Sequence, residues 1–199
     1  MVVKGLMVVP LNYMLIKDGK KTQKRQVIEY KEAGKKVILP SHMKLIGVEN
    51  GEYVFRDFDG SEVKVVPPHQ VGEYLYLKND MRMPKYIAEV FLKVTGISVE
   101  HVHDICDPDI VKEGIPSKWP MFPIYCPICK GTGVRLATRC SCCDTPYRRF
   151  RNYWNEKQWY KHDPLREWDA NPWVWVISYE KVPPLEWKDN NWVDPSDKI

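Results

Sequence analysis

Six cysteines stand in the chain, and five of them fall in one short stretch. Cys126-Pro-Ile-Cys129 and Cys140-Ser-Cys142-Cys143 form the frame C-x2-C, ten residues, C-x2-C. Two knuckle turns at that spacing present four thiolates to one ion, the arrangement tetrahedral zinc requires. Gly131 and Gly133 follow the first knuckle and allow the tight reversal. Four protein ligands leave no open coordination position, so such a zinc is structural and not catalytic. The expected ligands are Cys126, Cys129, Cys140 and Cys143, because a single intervening residue makes Cys142 the poorer partner for Cys140. The alternative is a set of buried or redox-active thiols that hold no metal. Cys106 stands alone before Asp107-Pro108 and is assigned no role.

A second chemical stretch is Asp18-Gly-Lys-Lys-Thr-Gln-Lys-Arg25, four cations in eight residues. It follows the short amphipathic segment Leu11 to Lys17, whose Leu11, Met14 and Leu15 share one side. Gly19 is placed to end that helix in a left-handed conformation. Lys20, Lys21, Thr22, Gln23, Lys24 and Arg25 would then project from a helix-to-strand turn that offers anions both charge and fixed donors. The competing reading is a solvated charge run. If the turn is a ligand site, alanine at Lys21 or Arg25 should weaken binding and leave the fold intact. The histidines assemble no site: His101 and His103 lie two apart, and His42, His69 and His162 are isolated. No glycine-rich phosphate loop or nucleophile elbow occurs.

The elements that would hold these residues are mostly strands. Val2 to Pro10 reads as a first strand, and Gln26 to Lys31 as the next. Val37 to Leu39, Leu45 to Val48, Glu52 to Phe55 and Val63 to Val66 follow. Asn50-Gly51 and Asp59-Gly60 mark hairpin turns. Glu73 to Leu77 is another strand, and Ile87 to His101 a long or bulged one interrupted by Gly96. Asp107-Pro108 opens a short helix that ends at Gly114. Thr145-Pro146 opens a second helix, running to Trp159, and Trp173 to Tyr179 is the closing strand. The fold class expected is α+β, mainly β, a small barrel or rolled sheet with peripheral helices.

At 199 residues, 44% hydrophobic and 28% charged, the chain is globular in composition and long enough for one core with an insertion. The formal net charge of +4 suits a polyanionic partner without requiring one. No apolar run reaches membrane-spanning length, and Met1 to Pro10 reads as a strand and not as a signal peptide. A cytoplasmic location with no membrane partner is therefore expected. Arg148, Arg149 and Arg151, with Lys157 and Lys161, alternate with Tyr147, Phe150, Tyr153, Trp154, Trp159 and Tyr160. That pattern suits either a single-strand stacking platform or an amphipathic helix whose aromatics pack inward, the latter preferred.

Taken in order, several fragments resemble the ASCH family, a branch of the PUA-like β-barrels, in its phage-borne form. Asp18 to Arg25 resembles that family's opening Gly-x-Lys-Thr-x-x-Arg turn. Val71-Gly72-Glu73-Tyr74-Leu75-Tyr76-Leu77-Lys78 resembles its Pro-Gly-Asp-x-Leu-x-Val-Arg strand, and Met83-Pro84-Lys85-Tyr86 its Met-Pro-Arg-Trp. The stretch from Val94 through Asp104 to Glu113-Gly114-Ile115 is similar to its strand and helix ending in Glu-Gly-Ile. Trp168-Asp-Ala-Asn-Pro-Trp-Val-Trp-Val176 is similar to the phage form's closing strand. The resemblance implies an ASCH barrel over 1–182, in which the cysteine stretch reads as a zinc-binding insertion at 120–146; the composition makes 183–199 a polar tail.

It also implies a nucleic-acid ligand, RNA rather than DNA, held in a cleft by Gly19, Lys20, Lys21, Thr22, Lys24, Arg25, Lys78 and Lys85. A phage protein would act in the host cytoplasm. Some members hydrolyse an acyl amide of a modified cytidine and some cleave RNA. In the hydrolases a Lys, a Thr three residues later and a Glu on the short helix carry the reaction. The Lys corresponds to Lys21 and the Glu to Glu113, while the Thr position holds Lys24, which has no hydroxyl. The expected functions are RNA binding first, and a hydrolase using Lys21 and Glu113 second. A third is a protein-interaction module that uses the zinc loop.

Overall fold

The computed structural model describes residues 3–8, 10–78, 80, 82–115, 145–159, 163–188 and 191–193. Strand β1 (Val3–Met7) leads into helix α1 (Pro10–Lys17), then β2 (Gln23–Val27), β3 (Glu29–Glu32), β4 (Lys35–Ile38), β5 (Lys44–Glu49), β6 (Glu52–Arg56) and β7 (Glu62–Val65). β8 (Tyr74–Lys78), β9 (Phe91–His101), α2 (Asp107–Lys112), α3 (Pro146–Trp159), β10 (Trp173–Val182), β11 (Glu186–Lys188) and β12 (Asn191–Val193) complete the order. The chain is thus mainly β with few helices. No helix among the described residues is long and apolar enough to cross a membrane.

The central sheet has five strands in the order β1-β8-β9-β10-β2. β1 runs parallel to β8, and the other pairings are antiparallel. The expected barrel is not closed among the described residues. β1 and β2 are the open edges of this sheet, and β3-β4 and β5-β6-β7 form separate ladders. The meander covers one face: Phe55 and Val65 pack with Leu75, Leu77, Leu92, Trp175 and Ile177 in the main core. α2 and α3 cover the other, where Phe150 and Trp154 of α3 and Ile110 of α2 bury against Val27, Val174 and Val176, while Ile16 of α1 joins the main core. Full burial of each such aromatic contributes about 2–3 kcal/mol of transfer free energy.

Local chemistry explains the turning points. α1 starts at Pro10, where the missing N–H costs nothing. It ends in a Schellman pattern: Gly19 adopts φ +71°, its N–H donates to Ile16, and the Lys20 N–H reaches Leu15 at 2.8 Å. The buried residues of α1 are Asn12 and Ile16, whereas Leu11 and Met14, expected on a shared face, are exposed. β9 is the bulged strand expected around Gly96. Ser178 pairs with Gly96 and Tyr179 with Val94, leaving Thr95 as the extra residue. Asn50 and Gly51 both take positive φ, as a two-residue hairpin turn requires. Beyond β10, β11 and β12 pair, and Trp192 buries against Tyr76, Phe91 and Leu185. The polar stretch after Val182 therefore carries an apolar anchor.

Candidate functional site

The basic stretch is a turn only as far as Thr22, because β2 begins at Gln23. Thr22 fixes its position with two backbone bonds, from its own N–H to Lys112 O at 2.8 Å and from Tyr179 N–H to Thr22 O at 2.9 Å. Strand periodicity then sends Gln23 and Arg25 to the helix-covered face and Lys24 to the other. Lys21 also turns inward and is 3% exposed. On the facing helix, Asp109 and Glu113 lie four residues apart and point the same way. Glu113 is the C-cap of α2, and the following Gly114 takes φ +88°, where a Cβ would crowd Leu15 and Lys21.

These side chains meet. Lys21 Nζ donates to Glu113 Oε2 at 2.5 Å and to Glu113 O at 2.7 Å, joining positions 92 residues apart. Arg25 is completely buried. Its Nε and Nη2 reach Glu100 Oε1 at 2.7 and 2.6 Å, and Nη2 lies 3.3 Å from Asp109 Oδ2. Nη1 donates to Gln23 Oε1 at 2.9 Å and lies 3.4 Å from Glu113 Oε1. From α3, Lys157 Nζ donates to Arg25 O at 2.9 Å and stands over the Tyr153 and Trp154 rings. Lys21 approaches the Tyr153 ring as well, 5.8 Å from its centroid. Asn12 of α1 holds the Tyr153 hydroxyl at 3.2 Å.

Three cations, Lys21, Arg25 and Lys157, thus face three carboxylates, Glu100, Asp109 and Glu113. Burial alone would raise the Glu113 carboxyl, but the charges of Lys21, Lys157 and Arg25 outweigh it and hold it below its ordinary value. Glu113 is therefore an ionised acceptor and a weak base. It also sits at a helix C-terminus, where the dipole disfavours a carboxylate, so the cations are needed to keep it there. Desolvation lowers the Lys157 ammonium, against the opposing fields of Tyr153 and Glu113. Burial raises Glu100 in spite of Arg25. Burial and then the Glu113 charge push the Tyr179 phenol upward.

The structure brings Lys21, Arg25 and Glu113 into one network and separates the other expected ligand residues from it. Gly19 forms the helix stop, Lys20 and Thr22 are exposed, and Lys20 pairs with Asp18 at 3.1 Å. Lys24, half-buried, lies on the opposite face of β2, near enough to His69 to oppose its protonation. Lys78 ends β8, three strands from β2, or about 14 Å at ordinary strand spacing. Lys85 opens a 3-10 turn between β8 and β9. The expectation that Arg25→Ala spares the fold is corrected: Arg25 is fully buried with no donor turned to solvent, and its loss leaves Glu100 without its cation, while Glu113 keeps Lys21 and Asp109 keeps Lys112. Cys126, Cys129, Cys140 and Cys143, and the zinc knuckle they would form, lie outside the described residues. Among the described residues no cluster of His, Cys, Asp and Glu could hold a metal ion, and Cys106 is exposed.

Sequence reasoning named Gln23 in the basic turn but missed Glu100 and Asp109, and it set Tyr153 and Lys157 in a separate aromatic cluster. Two signals were present: the i, i+4 pair Asp109 and Glu113, and the alternation of Gln23 with Arg25. Glu100 and Lys157 arrive only through tertiary register. On α3, Phe150 and Trp154 are buried while Arg148 and Arg151 are exposed, with Arg151 paired to Asp169. That is the amphipathic arrangement for Phe150, Trp154 and these two arginines, but Arg149 is buried and Tyr147 is exposed, against the expected division. Comparison of the chain with known proteins finds no matching family model, curated protein or solved structure.

Proposed function

We propose that the chain is an ASCH-type nucleic-acid-binding protein, with RNA preferred to DNA, whose ligand site is the surface above the Lys21–Glu113 network. One observation carries this reading. The basic turn and the Glu-Gly-Ile helix end, the two fragments that the resemblance assigns to one cleft, touch through Lys21 and Glu113 at 2.5 Å. Lys21 and Arg25 are spent on carboxylates, and the Gly19–Thr22 amides already donate to Ile16, Leu15 and Lys112, so direct phosphate contact falls to Lys20 and, across the open β2 edge, to Lys24 on the other face. The network beneath holds that rim in place.

The test is binding of a labelled single-stranded RNA at several salt concentrations, by the unmodified protein and by Lys20→Ala/Lys24→Ala. Each phosphate contact contributes about 0.7 to the slope of log K against log salt for a single strand, so the double variant should lose about 1.4 of slope. Salt-insensitive binding, or a slope unchanged in the variant, overturns the assignment.

A hydrolase acting on a modified nucleoside or on RNA is the second reading, favoured by the direct ammonium–carboxylate contact. Lys21 would polarise a carbonyl or phosphoryl oxygen and Glu113 would accept a proton. It is supported by turnover in the unmodified protein that disappears in Glu113→Gln under conditions where that variant is folded. Full activity in folded Glu113→Gln removes Glu113 from the chemistry. For the cysteine stretch we propose a structural zinc held by Cys126, Cys129, Cys140 and Cys143. Elemental analysis should find about one zinc per chain, and folded protein free of metal refutes it.

A further inference from the structure

We propose that β5 is the edge through which two copies of this chain pair, antiparallel about a two-fold axis between Ile46 and Gly47. β5 is the outer strand of the β5-β6-β7 sheet, and among the described residues nothing pairs with its far side. It is also apolar and open to solvent: Leu45, Ile46 and Val48 are 38%, 45% and 57% exposed. A bare edge of that kind is what strand addition uses.

Three features select a second copy as the occupant. The first is the sequence of the edge, Lys44-Leu-Ile-Gly-Val-Glu49. Turned on itself it places Lys44 opposite Glu49 of the other copy and Leu45 opposite Val48. Ile46 then meets Gly47, the one position with no side chain to obstruct it. The second is a charge pattern inside the monomer that the pairing relieves. β6 sets Arg56 directly opposite Lys44 and Glu52 directly opposite Glu49, like charges across the ladder at both ends. Glu49 and Arg56 each find one partner, Lys64 at 2.7 Å and Glu62 at 2.7 Å, whereas Lys44 makes no ion pair among the described residues.

The third is the backbone. In an antiparallel ladder alternate residues turn their N–H and C=O toward the partner strand and away from it. The Asn50-Gly51 turn closes on the Glu49–Glu52 pair, which directs Glu49 inward and Val48 outward. The ladder slips one residue between Leu45 and Gly47, so Ile46 is extra and Leu45 faces outward too. The two residues that the two-fold sets against each other are thus the two whose amides are turned to the empty side. The bulge, which would disrupt addition of a regular strand, is matched here by its own copy.

An edge contact of six residues is at the small end of interfaces, so association in the micromolar to millimolar range is expected. Sedimentation equilibrium of the full chain from about 1 µM to about 1 mM reads it directly. Lys44→Glu and Glu49→Lys should each weaken dimerisation about tenfold, since the symmetry puts two reversed pairs in every dimer. The double reversal Lys44→Glu/Glu49→Lys should restore it to within about threefold of the unmodified chain, a rescue that a fold defect would not give. Val48→Pro removes an outward N–H while sparing the β5–β6 ladder, and should abolish the dimer with the far-ultraviolet circular dichroism unchanged. A chain monomeric throughout that range overturns the proposal, as does a dimer indifferent to Lys44→Glu or a double reversal that fails to rescue.

Discussion

Replacing Glu113 by Gln is the sharpest perturbation of the network, because it removes one charge at nearly constant volume. Lys21 and Glu113 have side chains 2% and 1% exposed, with 2.5 Å between ammonium and carboxylate. Breaking a buried pair of that kind costs about 3–5 kcal/mol, since the surviving charge is left desolvated. The Gln carbonyl can still accept from Lys21, so the lower end, about 3 kcal/mol, is expected at neutral pH. For a chain of this size that is a drop of about 6–12 °C in Tm. The pH dependence carries a second signature. The folded Glu113 pKa lies below its unfolded value of 4.5, so its contribution is complete above that value and lost as pH falls through the folded pKa. The stability gap between the two proteins should therefore be full at pH 7 and should close in acid. Urea unfolding followed by tryptophan fluorescence at neutral and acidic pH measures both. A loss under about 1 kcal/mol at pH 7, the value of an exposed pair, or a gap that does not narrow in acid, refutes the closed network.

Two further substitutions test the frame around it. Gly114→Ala forces a left-handed residue at φ +88° and sets a methyl 3.1 Å from Leu15 Cδ1 and 3.3 Å from Lys21 Cβ. It should cost about 1–3 kcal/mol, read by urea unfolding. Trp192→Ala empties the site against Phe91, where the ring centroids lie 4.7 Å apart. It should cost about 3–5 kcal/mol, and a loss below about 1 kcal/mol would show that the β11–β12 hairpin is not anchored.

Local chemistry was legible in the sequence wherever a residue type has one structural use. Gly19 announced a left-handed position, Gly114 a helix end and Asn50-Gly51 a hairpin turn, and all four residues take positive φ. Gly96 announced an interruption and lies beside the bulge. Thr145-Pro146 announced the start of α3. What failed was inference from charge alone. A run of four cations reads as exposed, yet β2 starts at Gln23 and its alternation carries Arg25 inward, where Glu100 and Asp109 lie 75 and 84 positions away. Nothing local to residue 25 reports those partners. The same blindness hid Trp192, an apolar anchor in a stretch whose composition is polar, and the openness of the sheet, which depends on whether β1 and β2 find each other.

The burial of Lys21 and Arg25 changes which experiment decides the function. A network of three cations and three carboxylates presents little net field to a distant polyanion, so it cannot be the source of electrostatic attraction. Alanine at Lys21 would weaken RNA binding whether or not Lys21 touches RNA, because it leaves Glu113 buried without its nearest counter-ion and loosens the α2 end on which the rim rests. The Lys20→Ala/Lys24→Ala variant removes charge from the rim and leaves the buried pairs whole. A reduced salt slope in that variant, with unchanged unfolding in urea, reports phosphate contact. The same reduced affinity accompanied by lost stability reports only a damaged fold.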